Sequence, residues 1–365
     1  MSGPLYVPVL PAKQHACQAY RQLIPSVQAA VVPLWNLPPR AGAHPDALAV
    51  GVRKDLWRVR KAHRRHPAWV DCPFADEAQQ SALAEALSAD AEETGRSAPA
   101  GALFTDADVS ALRPVTGPDR SEAHQAAMLE HARSTGSGLG IRVIMPGHWD
   151  DVPLHAVRDL IARVDPAVEA DLLLDLGAVL ADRTDTAKEA RRALDALLPL
   201  FSWRTAAVLG GAFPDVTARL LERGSAVVPR SDWRVWTEVR CSRREFDSIL
   251  EYGDYGTDST RGIARPPSTG KGGGPPWNAL RYTTDESYVL VKAPTRGPGR
   301  AAAVRAAARD VLALPDFRGP AASRAETWLR DCVHGHGPEG TGNVGDWLRV
   351  GHVQHMTHVV RSLRT

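Results

Sequence analysis

Lysine is scarce in this chain. Only Lys13, Lys54, Lys61, Lys188, Lys271 and Lys292 carry an ammonium group, among 44 basic residues. Together with abundant alanine, this imbalance reads as a GC-rich coding bias, so arginine number alone does not indicate function. The 42 acids nearly cancel the bases and leave a net charge of +2, too balanced to imply a nucleic-acid or membrane partner. Cysteine is also sparse. Cys17, Cys72, Cys241 and Cys332 stand far apart with no CxxC pair, which argues against a disulfide framework or a Cys₄ zinc site. No run approaches the ~18 uninterrupted apolar residues of a membrane span. The opening "MSGPLYVPVLPAKQ" lacks the basic leader and long apolar core of a signal peptide, so a cytoplasmic protein is expected. Familiar catalytic signatures are missing too: there is no GxSxG, no HExxH, no GxxxxGK[ST] and no HxH on the first strand.

What is present is a rhythm. Short apolar, β-branched runs recur at 5–13, 29–36, 68–74, 111–117, 138–147, 170–179, 204–214 and 246–256, and helical patterns separate them. The helix expected after the seventh run is "DVTARLLERG". These runs are apolar throughout instead of alternating, as when a parallel sheet is covered on both faces. Eight such units over residues 1–260 predict a (β/α)₈, TIM-barrel-like α/β fold. A doubly wound open sheet is the alternative, but no GxGxxG follows the first strand. Residues 261–278, rich in Pro and Gly, read as a loop. Residues 279–365 read as a C-terminal extension, with a β-hairpin around Asp285-Glu286 and two helices, packed on the barrel.

Several short motifs occur in a fixed order: "YVPVLPAKQ", "VVPLWNLPP", "YGDYG", "LRYTTDESYVLVKA" and "WLRVGHVQHMTHVV". In that order they resemble the beta protein family, named after a bacteriophage protein and found in many bacterial chromosomes. The resemblance implies a barrel-like α/β domain and a link to phage exclusion or defence. It supplies no reaction and no catalytic residues. Asn36 departs from the acidic residue expected at that position of the pattern.

In a (β/α)₈ barrel the site forms at the C-terminal ends of the strands. That rule selects Asp71, Asp175 and Asp254 as candidate catalytic or Mg²⁺-holding acids. Lys13, Arg142, Tyr252, Tyr255, Tyr282 and His355 are candidate ligand-binding residues. Arg142 and Asp175 lie inside apolar runs, so each needs a partner. They either bridge one another structurally or line a polar cavity for an anion held by Arg142 and Lys13. Asp71 and Asp254 have a plainer reading as caps or turn acids.

Five of the thirteen histidines fall in the last 32 residues, and His352, His355 and His358 are spaced three apart on one helix. Zinc with Cys332 and His334 would need convergent ligands, but HxxHxxH drifts around the helix, and half-buried packing histidines are the plainer reading. The basic segment "RKDLWRVRKAHRRH" (53–66) reads as a solvated outer helix, and nucleic acid is not expected as a partner. Two functions follow. One is a binding or interaction protein for a small anion or for a phage or host protein. The other is a metal-assisted hydrolase of a phosphorylated or sugar-phosphate substrate.

Overall fold

The structure is a computed structural model that describes residues 5–40, 42–63, 66–96, 112–145, 147–265, 274–337 and 340–364. Of the Pro/Gly-rich loop expected at 261–278, residues 266–273 lie outside the described residues, while its two ends are a short helix, Thr260–Ile263, and the start of a strand at Trp277. Strands β1 (Tyr6–Pro11), β2 (Leu34–Asn36), β3 (Ala68–Asp71), β4 (Leu112–Thr116), β5 (Leu139–Ile144), β6 (Ala170–Ala178) and β7 (Thr205–Gly211) follow one another around a barrel. A later strand, β9 (Leu250–Asp254), closes it by pairing with both β7 and β1. All eight neighbours are parallel, so this is the (β/α)₈ arrangement that the apolar runs predict. Side chains alternate across each strand. Val7, Val9, Leu34, Trp69, Val115, Leu173 and Leu209 fill the interior, while Tyr6, Leu10, Leu172 and Leu174 face the surrounding helices.

Between β7 and β9 the chain leaves the barrel. Strand β8 (Ser225–Pro229) joins β10 (Trp277–Thr283) and β11 (Ser287–Pro294) in a separate antiparallel sheet ordered β10-β11-β8. The hairpin around Asp285-Glu286 is thus as expected, but it has a third strand. The segment "DVTARLLERG" forms turns instead of a helix, and Gly224, at φ +86°, reverses the chain into β8. The helix that covers this side of the barrel is Ser231–Cys241. "REFDSI" is also helical, so the eighth barrel strand begins only at Leu250. Its acids Glu245 and Asp247 lie in the first turn, where the helix dipole favours them. The extension holds a further helix, Arg324–His334, between the two expected ones, Arg300–Leu312 and Val344–Ser362.

Local sequence explains the ends. Asn343 and Asp346 form a reciprocal capping box that starts the C-terminal helix. That helix packs against the first helix (Gln14–Gln22), β10 and Arg324–His334. Almost every residue from Trp347 to Val360 is buried, including Arg349, His352, Gln354, His355, Thr357 and His358. Buried polar groups of this kind must find partners, and those partners define the sites below.

Candidate functional sites at the barrel mouth and the helix seam

Arg142, from β5, is fully buried inside the barrel near the C-terminal ends of the strands. Its five N–H donors have five bonds. Nε and Nη2 reach Asp175 Oδ2 at 2.9 and 2.5 Å, Nη1 reaches Asn36 Oδ1 and Asp71 Oδ2 at 2.9 Å each, and Nη2 reaches the Tyr255 hydroxyl at 3.1 Å. Tyr255 in turn donates to Asp175 Oδ2 at 2.7 Å. Arg120 adds a second cation, 3.3 Å from Asp71. Burial alone would raise the Asp71 carboxyl, but Arg120 and Arg142 hold it below its usual range. The two acids therefore carry a guanidinium between them, and Lys13 is not among its partners. Lys13 sits at the N-cap of the first helix, half-buried. A second interior network, which the sequence reading missed, ties Asp171 to Arg204 at 2.8 Å, to Trp69 Nε1 at 2.8 Å and to Arg113 at 3.8 Å.

Asp254 does not join Asp71 and Asp175. Strand alternation puts Gly253 at the interior position, where an added Cβ would lie 2.2 Å from Leu209 and 2.6 Å from the Val7 carbonyl. Asp254 and Tyr252 accordingly face outward, into the layer beneath the C-terminal helix. There Tyr6 donates to Asp254 Oδ1 at 2.5 Å, as does the Gly256 N–H at 2.8 Å. Tyr252 donates to Oδ2 at 2.9 Å, and His355 Nε2 lies 2.8 Å from the same oxygen. His355 Nδ1 meets the Thr283 hydroxyl at 2.9 Å. Burial would raise Asp254, yet His355 and Tyr6 hold it below its usual range, while burial and the charge of Asp254 push the neighbouring Asp232 up. Tyr252 packs on Tyr6 with ring centroids 5.7 Å apart. Tyr282 lies elsewhere, accepting the Arg318 N–H at 3.1 Å.

The C-terminal histidines separate along their helix. His355 goes to Asp254, and His358 lies 3.4 Å from Asp285. His352 meets Asp258, which follows β9, at 3.2 Å, and His15 approaches the same Asp258 oxygen at 3.8 Å. Among the described residues, His15, Asp258 and His352 are the one group whose ligand atoms have metal-binding spacing. Cys332, His334, Asp71, Asp175 and Asp254 are not part of it.

Open space at the mouth is close to neutral. A cavity of about 340 Å³ lies between Val179, Gly211, Phe213 and Ser259, and its Arg261 is paired with Asp215 at 3.9 Å. A second cavity, about 390 Å³, differs in charge. It is lined by Arg21, Gln18 and Gln22 of the first helix, by Arg324, and by Asp346 and Arg349 of the C-terminal helix. Arg349 pairs with Asp346 at 3.2 Å. Among the described residues, Arg21 and Arg324 take part in no ion pair that would neutralise them. These arginines are hundreds of positions apart in the chain, so no local motif announces them.

The fold and these networks define a (β/α)₈ barrel whose interior charges are satisfied by protein groups and whose flank is sealed by a buried C-terminal helix. The chain belongs to the Beta protein family, which matches residues 6–361. No curated protein matches it. Among the described residues, no helix is long and apolar enough to cross a membrane.

Proposed function

We propose that this protein binds a small phosphate-bearing anion in the cavity between the first helix and the C-terminal helices. The observation that carries this reading is the three-arginine lining of that cavity, Arg21, Arg324 and Arg349, with the amides of Gln18 and Gln22 beside them. Guanidinium forks match phosphate oxygens geometrically. The volume, about 390 Å³, falls within the range of small-ligand pockets. The barrel interior is the weaker candidate, since every donor of Arg142 is already engaged and an incoming anion would have to displace Asp175 or Asp71. The proposed setting is the bacterial cytoplasm, with phage exclusion as the physiological role that the family resemblance suggests.

The test is calorimetric titration with pyrophosphate, a nucleoside triphosphate and a hexose phosphate. At least one should bind the wild type, and the Arg21→Ala/Arg324→Ala double variant should lose about tenfold or more in affinity, about 1.4 kcal/mol or more. Wild type silent toward all three probes, or a double variant that binds equally well, would sink the idea. Metal-assisted hydrolysis is a second reading, favoured by the proximity of His15, Asp258 and His352.

A further inference from the structure

We propose that His15, Asp258 and His352 form a divalent-metal site, with Zn²⁺ the ion that fits its ligands. Asp258 follows the C-terminal end of β9, and His15 lies in the first turn of the helix that follows β1. These two strands are neighbours in the barrel, so the group stands at the end of the barrel where such folds build their working sites. The three candidate ligand atoms lie within 4.8 Å of one another, with the two imidazole nitrogens 3.2 and 3.8 Å from one carboxylate oxygen. Ligands placed ~2.0–2.1 Å from a tetrahedral zinc stand roughly 3.4 Å apart, so little movement is needed. The two imidazole rings lie side by side, with centroids 5.8 Å apart and planes 14° apart, and both Nε2 atoms face the same Asp258 oxygen.

Neighbouring groups hold this arrangement. Arg281 Nη1 lies 3.4 Å from the other Asp258 oxygen and donates to the Thr257 carbonyl at 2.8 Å. It therefore fixes the rotation of the carboxylate and leaves Oδ2 toward the histidines. The same guanidinium opposes an incoming cation, which sets the expected affinity in the micromolar range. Gly256, at φ +59°, permits the close approach of His352, since a Cβ there would lie 2.8 Å from Nδ1. The His352 side chain is fully buried, whereas those of His15 and Asp258 keep 16% and 17% exposure, a route for ion and water. Two nitrogens and one oxygen suit zinc better than Mg²⁺, which prefers all-oxygen ligands. Three protein ligands with an open fourth position is the pattern of reactive zinc centres, not closed structural ones.

The position also connects to the arginine cavity. His15 and Gln18 are three residues apart on the first helix, and Arg349 and His352 are three apart on the C-terminal helix. The metal group and the anion cavity thus lie about one helical turn, ~5 Å, apart along the same seam.

The site is tested with the metal alone. Full-length protein stripped by a chelator is titrated with Zn²⁺ against a chromophoric competitor, and metal content is checked by mass spectrometry. One equivalent should bind with a dissociation constant near or below about 10 µM. His15→Ala and Asp258→Asn should each weaken binding by about tenfold or more. His15 is partly exposed, so His15→Ala should keep the wild-type circular dichroism spectrum, and His336→Ala should leave zinc affinity unchanged. Failure of the wild type to take up one equivalent, or unchanged affinity in both ligand variants, overturns the assignment. The Arg21→Ala/Arg324→Ala variant should retain zinc binding, so failure of the anion reading and failure of the metal reading are distinguishable.

Discussion

Each residue of "YGDYG" has a separate task. Tyr252 donates outward to Asp254, Gly253 lets β9 lie against Leu209 and Val7, and Asp254 collects Tyr6, His355 and the Gly256 N–H. Tyr255 then turns inward to Asp175 and Arg142, and Gly256 makes room for His352. One short stretch thereby links the barrel interior to the C-terminal helix. In the interior half a fully buried cation would be left short of a partner, and such a loss is costly. Replacing Asp175 with Asn should lower the free energy of unfolding by about 3 kcal/mol, read as a shift in urea midpoint at unchanged slope. A variant as stable as wild type would mean that the Arg142 pocket is solvated, which would reopen it as a ligand site.

At the scale of elements, the C-terminal helix completes a sheet edge it does not belong to. Strand β10 is an outer strand of the three-stranded sheet, and its Thr283 has an unpaired peptide edge. Gln354 satisfies both groups, accepting from the Thr283 N–H and donating to its carbonyl, each at 2.8 Å. An edge strand left with open peptide groups is a site for wrong pairing. Gln354→Leu should therefore cost about 1–3 kcal/mol and speed amide exchange at Thr283. Unaltered exchange at that amide would show that the helix does not protect the edge. The three-stranded sheet accounts for two departures from the expected pattern. Strand β8 needs β11, some sixty positions later, as its partner, and the "DVTARLLERG" turns exist only to deliver it there.

For the whole molecule, buried neutral histidines set the response to acid. Burial pushes His63 down to about 3, and it accepts the Trp35 indole N–H, a bond that a protonated ring would lose. His358 is lowered to about 2, first by burial and then by Arg230 and other nearby cations. In the unfolded chain these rings titrate near 6.5. The unfolded state therefore binds more protons as pH falls below that value, and stability is lost on acidification. His63 alone should remove about 2 kcal/mol between pH 7.5 and pH 5. Glu251, raised to about 7 by burial, acts in the opposite direction over part of this window, so its contribution loses strength as pH rises. Asp71 and Asp254, both depressed, extend the acid loss to lower pH. Chemical denaturation of the wild type and of a His63→Asn variant at stepped pH is the measurement, and an equal loss from pH 7.5 to 5 in both would rule out neutral burial of His63.

The barrel was legible in the sequence because strands covered on both faces must be apolar along their whole length, and eight such runs leave few other folds. Arg142 and Asp175 were legible for the related reason that an ion within an apolar run requires a counterion on a neighbouring strand. Sequence could not decide which face of β9 carries Asp254. That depends on one-residue register, which only closure of the barrel against β1 and β7 determines. His15, Asp258 and His352, like Arg21, Arg324 and Arg349, share no motif. They become neighbours only when the first and last helices pack side by side, because burial of the last helix, and not any local pattern, brings the two ends of the chain together.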